Sequence, residues 1–202
     1  MSTIENPAKK PRTWSRTPPP DHTPSTREWV EIARRVLIEE GIVEVKIDRL
    51  ARLAGVTRGG FYWRFKGREE LLEELIEDWR TTNTKPLLRV LSEPGSLRER
   101  MQRLGDLYIS ETEFSSAYDH AVRAWASLSP PIAEIVHAVD EIRIDAIRHV
   151  FTEAGHSEDE ALVRARITYF HQVGYYATGM TESQERRQAL SAIYLRVLTG
   201  LG

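Results

Sequence analysis

The chain contains no cysteine. That excludes disulfides, thiolate nucleophiles and thiolate-held metal, and it fits a reducing compartment. No apolar run approaches the ~18 residues of a membrane-spanning helix. The N-terminus lacks the apolar core of a secretory signal, so a cytoplasmic protein without a membrane partner is expected. No stretch alternates apolar and polar residues around a hairpin turn, which removes strands from the expectation and leaves an all-α class. The six histidines have no metal-ligand spacing. There is no Gly-x-Gly-x-x-Gly phosphate loop and no serine elbow. No catalytic residue, metal or cofactor is expected, and the chain does not read as an enzyme. An excess of one charge is also missing: 28 basic side chains face 30 acidic ones, for a net charge of −2.

What is present is unevenly placed. Six of the ten prolines lie in residues 1–24 among few apolar residues. Such a segment cannot offset the entropy of ordering by burial, so 1–24 reads as a disordered arm. Lys9, Lys10, Arg12 and Arg16 make it basic, with Trp14 among them. It is a solvated tail, as most termini are, or an arm that follows a nucleic-acid backbone. Charge divides as unevenly. Residues 42–68 hold seven basic side chains and two acidic ones, whereas residues 81–202 hold 13 basic and 16 acidic. At Debye distances of ~10 Å the local excess governs attraction to a phosphate backbone, and the whole-chain sum matters little.

The basic stretch carries a motif. Ile47, Leu50, Ala51 and Ala54 recur at helical spacing and stop at Gly55, which can take the left-handed conformation of a helix end. Val56 plugs the turn, and Thr57 is a good N-cap for a second helix. Two short helices around a tight glycine turn are a helix-turn-helix. The second helix is expected to point Arg58, Gly59, Gly60, Trp63 and Arg64 outward and Phe61 and Phe65 inward. A slim, basic outer face suits a major groove, where Arg58 can read guanine edges. Gly59 and Gly60 each cost a helix on the order of 1 kcal/mol against Ala. Close approach to DNA or close packing on the first helix would compensate.

Helices are expected elsewhere at similar density. Ser25 or Thr26 caps a first helix bearing Trp29, Ile32, Ala33, Val36 and Leu37. A fourth follows Gly67, runs past Pro86 and closes at Pro94-Gly95. Later helices carry Leu97–Tyr108, Ala117–Leu128 and the segment from Pro130 to Gly155. The last two span about Glu158–Thr178 and Glu182–Thr199.

From Thr26 to Trp79 the ordered set Leu50-Ala51, Ala54-Gly55-Val56-Thr57, Phe61-Tyr62, Phe65 and Glu69-Glu70-Leu71-Leu72 resembles the DNA-binding domain of the TetR family of bacterial transcription regulators. Two positions depart from the family pattern. Lys46 stands where a threonine usually precedes the second helix, and Arg68 where a lysine usually opens the fourth. Both are cationic and able to meet phosphate. The resemblance implies an arm (1–24), a helix-turn-helix DNA-binding domain (25–67) and a helical regulatory and dimerisation domain (68–202). It implies a palindromic double-stranded DNA partner bound by a homodimer, and repression released by an unidentified small-molecule effector. Lys46, Thr57, Tyr62, Lys66 and Arg68 would hold phosphates, and Trp63 would meet sugar or a thymine methyl. Phe170, Val173, Gly174, Leu190, Ile193 and Val197 would form the dimer contact. Tyr108, Tyr118, Trp125 and Tyr175 would line the effector pocket. A helical enzyme or ligand carrier, or a protein-interaction adaptor, would use the same helices without salt-dependent affinity for DNA.

Overall fold

A computed structural model describes residues 23–180 and 182–200. The arm expected over 1–24 lies almost wholly outside the described residues. Helix α1 spans Thr26–Glu40. Ser25 caps it reciprocally: the Glu28 N–H donates to Ser25 Oγ at 3.3 Å, and the Ser25 N–H donates to the Glu28 carboxylate at 2.7 Å. Gly41, at φ 84°, ends it. A single 3-10 turn, Ile42–Glu44, follows and was not legible in the sequence. It is held by a residue far along the chain, because Arg68 donates to the carbonyls of Val45 and Ile42 at 2.6 and 2.9 Å.

Helix α2 spans Ile47–Leu53 and helix α3 spans Arg58–Tyr62. Between them Gly55 takes φ 69°, a conformation costly for any residue with a Cβ. The Val56 N–H then donates to Ala51 O at 3.0 Å and closes the turn. Thr57 holds the N-cap position, but its side chain makes no capping bond. Helix α3 is shorter than the sequence implied. Trp63 and Arg64 lie in the turn after it, with the Arg64 N–H donating to Phe61 O at 2.9 Å.

Helix α4, Arg68–Ser92, is the longest element and carries Pro86 within it. Helices α5 (Leu97–Ser110), α6 (Ser116–Ala126), α7 (Pro130–Glu153), α8 (Glu158–Ala177) and α9 (Gln184–Thr199) complete the body. The class is all-α, and no strand occurs among the described residues. Two apolar cores result. In the first, Trp29, Leu50, Phe61 and Phe65 pack with Leu71, Leu75 and Trp79 of α4 and with Tyr118, Val122 and Trp125 of α6. In the second, Leu87 and Leu91 of α4 meet Leu104, Tyr108, Phe151, Ala165 and Leu195. Helix α4 thus crosses from one core to the other. Helix α8 lies along α7, and α9 packs mainly on α5.

Candidate nucleic-acid interface and effector cavity

The outer side of the helix-turn-helix is built by what lies beneath it. Phe61 is fully buried, with its ring edge-on to Trp29 at 5.3 Å and tilted on Phe65 at 5.2 Å. That i, i+4 pair fixes the rotation of α3, so the residues between face away from the core. Tyr62 and Trp63 are 47% and 52% exposed. Thr57, Arg58, Gly59, Arg64 and Lys66 are exposed with them. Arg58 meets Asp48 of α2 at 3.3 Å and lies 5.9 Å from the Tyr62 ring centroid. Its hydrogen bond to the Tyr62 hydroxyl and the Asp48 charge hold it firmly protonated. Lys46 pairs with Glu44 at 2.8 Å at the exposed start of α2. Arg49 pairs with Glu40 and Glu44. These exposed contacts are each worth little, so phosphate can displace them.

Two expected contacts need correction. Gly60 is buried rather than outward. A Cβ there would stand 3.1 Å from Val56 Cγ2, so the absent side chain admits the turn residue and does not approach DNA. Arg68 is not a free phosphate ligand. Two of its guanidinium nitrogens are tied to the carbonyls that shape the 3-10 turn, which makes it a strut between that turn and the start of α4.

The effector region also divides differently from the expectation. Tyr108 and Tyr175 line a cavity of about 100 Å³ between α5, α8 and α9, together with Met101, Leu104, Gln172 and Leu198. Tyr118 and Trp125 do not line it. Tyr118 is fully buried under the helix-turn-helix, donates to Leu75 O at 2.7 Å and lies beneath Arg34, 4.5 Å from its ring centroid. Trp125 belongs to the same core and borders an open groove with Leu37 and Leu128. Aromatic content alone could not separate a cavity wall from a core, because both require the same side chains.

Sequence reasoning missed a buried charged cluster at the centre of the body. Arg143 is 1% exposed. It donates to Asp119 at 2.8 Å and to Thr84 Oγ1 at 3.1 and 3.2 Å, and it stacks 5.0 Å from the Trp79 ring centroid. Arg123 donates to Asp119 at 2.9 Å, to both oxygens of Asp140 at 2.7 and 2.9 Å, and to Tyr169 Oη at 2.8 Å. The Tyr169 hydroxyl donates to Asp140 at 2.6 Å, and the Trp79 indole N–H to Asp119 at 3.1 Å. Two cations and two anions balance, so the charges can stay buried. Burial would raise the Asp119 carboxyl, but Arg143 and Arg123 together hold it below its ordinary value. The cluster ties α4 to α6, α7 and α8. The i, i+4 spacing of Asp119 and Arg123 was its one signal in the sequence, and it reads equally as a solvated pair.

The exposed side of α8 and α9 carries Phe170, Ile193 and Val197, 56%, 49% and 70% exposed. Val163 and Ile167 of α8 extend the same apolar exposure and were not singled out in the sequence. Val173, Gly174 and Leu190 are half-buried. No helix among the described residues is long and apolar enough to cross a membrane.

A glycine-turned helix pair seated by α4 on a helical body defines a helix-turn-helix protein. Residues 30–75 match the family model described as bacterial regulatory proteins, tetR family, so this region is similar to the DNA-binding part of that family. It is 38% identical over 47 residues to the HTH-type transcriptional regulator TtgW of Pseudomonas putida, a match covering 23% of this chain and 35% of that one. It is 35% identical over 54 residues to the regulator TtgR of the same organism, covering 27% and 26%. The matched part is thus about a third, or less, of those relatives' lengths, and both are named as HTH-type transcriptional regulators. Over 87% of the chain the fold superposes on 94% of Salmonella enterica GusR with a TM-score of 0.67 at 18% identity. At that identity the likeness is one of fold.

Proposed function

We propose that the chain is a dimeric DNA-binding transcription regulator, a repressor of a palindromic operator that a small molecule releases. Residues 25–67 would bind DNA and residues 68–202 would sense the ligand and dimerise. One observation carries the reading: the family-matched helix-turn-helix presents Arg58, Tyr62, Trp63, Arg64 and Lys66 on one exposed side, in the part of the chain with a basic excess. Arg58 would read base edges. Tyr62, Lys66, Thr57 and Lys46 would hold phosphates, which set register rather than sequence. A helix of five residues reads few base pairs, so two copies are needed, at half-sites about 34–36 Å apart. The exposed apolar side of α8 and α9 supports an isologous contact, since a C2 pair covers the same patch on both copies. The ligand would act by population shift, favouring a dimer whose recognition helices no longer match both half-sites. Helix α4 is the physical link, because its first half belongs to the core under the helix-turn-helix and its second half to the core beside the cavity.

Fluorescence anisotropy with a duplex from upstream of the coding sequence, against a scrambled duplex, tests this. The upstream duplex is expected to bind at least ~10³-fold tighter. Equal affinity for both duplexes, or none for either, would contradict the proposal.

A further inference from the structure

We propose that the cavity between α5, α8 and α9 takes a small amphipathic cation, an ammonium group on one apolar chain, whose charge is met by Glu182 and the rings beside it. The assignment rests on the ligand-release reading and supplies the ligand's charge and size. The cavity, at about 100 Å³, is smaller than the ~150 Å³ apolar pocket that admits benzene. A short chain suits it. Met101, Leu104, Ile109, Leu195 and Leu198 make its wall mainly apolar. Gly105 helps to keep it open. That glycine lies inside α5 and lines the cavity, and a Cβ there would meet nothing but its own helix within 4 Å. A helix interior disfavours glycine, so the space comes at a cost in helix stability.

The charges of the wall leave one unmatched. Glu182, in the connection between α8 and α9, is half-buried and lines the cavity. Among the described residues it accepts only from the Tyr175 hydroxyl, at 3.1 Å, and forms no ion pair. Arg187 also lines the cavity but is already engaged. It donates to Glu111 at 3.1 Å, to Tyr108 O at 2.9 Å and to the Tyr176 hydroxyl at 2.7 Å. Burial lowers the His171 pKa and keeps that ring uncharged at neutral pH. With Arg187 balanced by Glu111, the wall carries one net negative charge. A ligand that fills the cavity strips water from the Glu182 carboxylate. A neutral ligand does not offset that cost and an anion increases it, whereas a cation offsets it.

The rings of the wall suit the same charge. Tyr194 and Tyr175 flank His171, with centroids 4.7 and 6.3 Å from it, and all three line the cavity. Aromatic faces attract cations, and the Arg187 guanidinium already stands 5.1 Å from the Tyr175 centroid. Tyr194 has no cation over its ring among the described residues. Helix α5, one side of the cavity, packs on α4, the helix shared with the core under the helix-turn-helix.

The test uses the full chain and three probes of one chain length: hexylammonium, hexan-1-ol and hexanoate, titrated calorimetrically at neutral pH. Hexylammonium is expected to bind about tenfold tighter than hexan-1-ol, with hexanoate weakest. Glu182→Gln should bring hexylammonium down to the hexan-1-ol affinity and leave hexan-1-ol binding in place. Gly105→Leu fills the cavity and should abolish binding of all three probes while the melting temperature holds or rises. If that variant fails to fold, the ring proton resonances of Tyr175 and Tyr194 in the unaltered protein must shift on addition of hexylammonium. Hexan-1-ol or hexanoate bound as tightly as hexylammonium, no binding of any probe, a preference that survives Glu182→Gln, or binding that survives cavity filling would overturn the assignment. Hexylammonium bound with the expected preference, yet without effect on affinity for the upstream duplex, supports the assignment and contradicts ligand release instead.

Discussion

Arg58 and Arg68 lie ten residues apart, and sequence alone gave both to DNA, Arg58 to base edges and Arg68 to phosphate. Their surroundings separate them. Arg58 is exposed beside Asp48 and Tyr62, whereas Arg68 is part-buried on two backbone carbonyls. Arg68→Ala is expected to destabilise the fold by about 1.5–3 kcal/mol, the range for hydrogen bonds from a charged donor. Arg58→Ala should leave the urea midpoint unchanged and relax base preference instead. Urea denaturation of both variants, with titration against altered duplexes, checks the pair. Asp119 makes the third residue-scale case. Its folded pKa lies below the ordinary value of 3.8. Its contribution to stability is therefore complete above pH ~4 and fades as the pH falls through the depressed value. Asp119→Asn should flatten that acid limb and cost about 3–5 kcal/mol at neutral pH, because Arg143 would remain buried with its charge poorly balanced. Thermal melts across pH 2–7 measure both effects. The pairing of Arg143 with Asp119 spans 24 positions, beyond what a local sequence window reports.

At the scale of elements, the helices were legible because their signals are local. Ser25 with Glu28, Gly55, Pro130 and Gly155 are caps and stops that act within a turn, and the observed boundaries follow them. The 3-10 turn was not legible, because it depends on Arg68 more than twenty residues away. The inward turn of Gly60 was not legible either, since a glycine carries no hydropathy to reveal its side. The two neighbouring glycines consequently differ. A Cβ at Gly59 would meet Thr57 Oγ1 at 3.4 Å, an ordinary contact, on an exposed side. A Cβ at Gly60 would crowd two Val56 carbons at 3.1 and 3.2 Å. Gly59→Ala should raise stability by up to ~1 kcal/mol through helix propensity while weakening DNA binding. Gly60→Ala should lower stability by about 1 kcal/mol, because overpacking outweighs the propensity gain. Thermal melts and anisotropy on the two variants separate the effects. A matched response at both glycines would contradict the assigned rotation of α3.

Over the whole molecule, charge and apolar exposure are segregated. The basic excess lies on the helix-turn-helix, the acidic excess on the body, and a set of exposed apolar side chains on α8 and α9. The Ile193→Asp and Val197→Asp substitutions lie on side chains exposed in the single chain, so a folded monomer is expected. The unaltered protein should sediment at about twice its 23.2 kDa. Helical content by circular dichroism should be equal in both, and loss of fold on substitution would place these residues in a core instead. The central claim is that the basic surface exists to meet a phosphate backbone. Its most direct measurement is the affinity for the upstream duplex as a function of salt. The account predicts that log K falls linearly with log[salt], with a slope of about −0.9 for each phosphate neutralised, and that Lys66→Ala reduces the slope by about one. An affinity indifferent to salt, or a slope unchanged in the Lys66 variant, would contradict it.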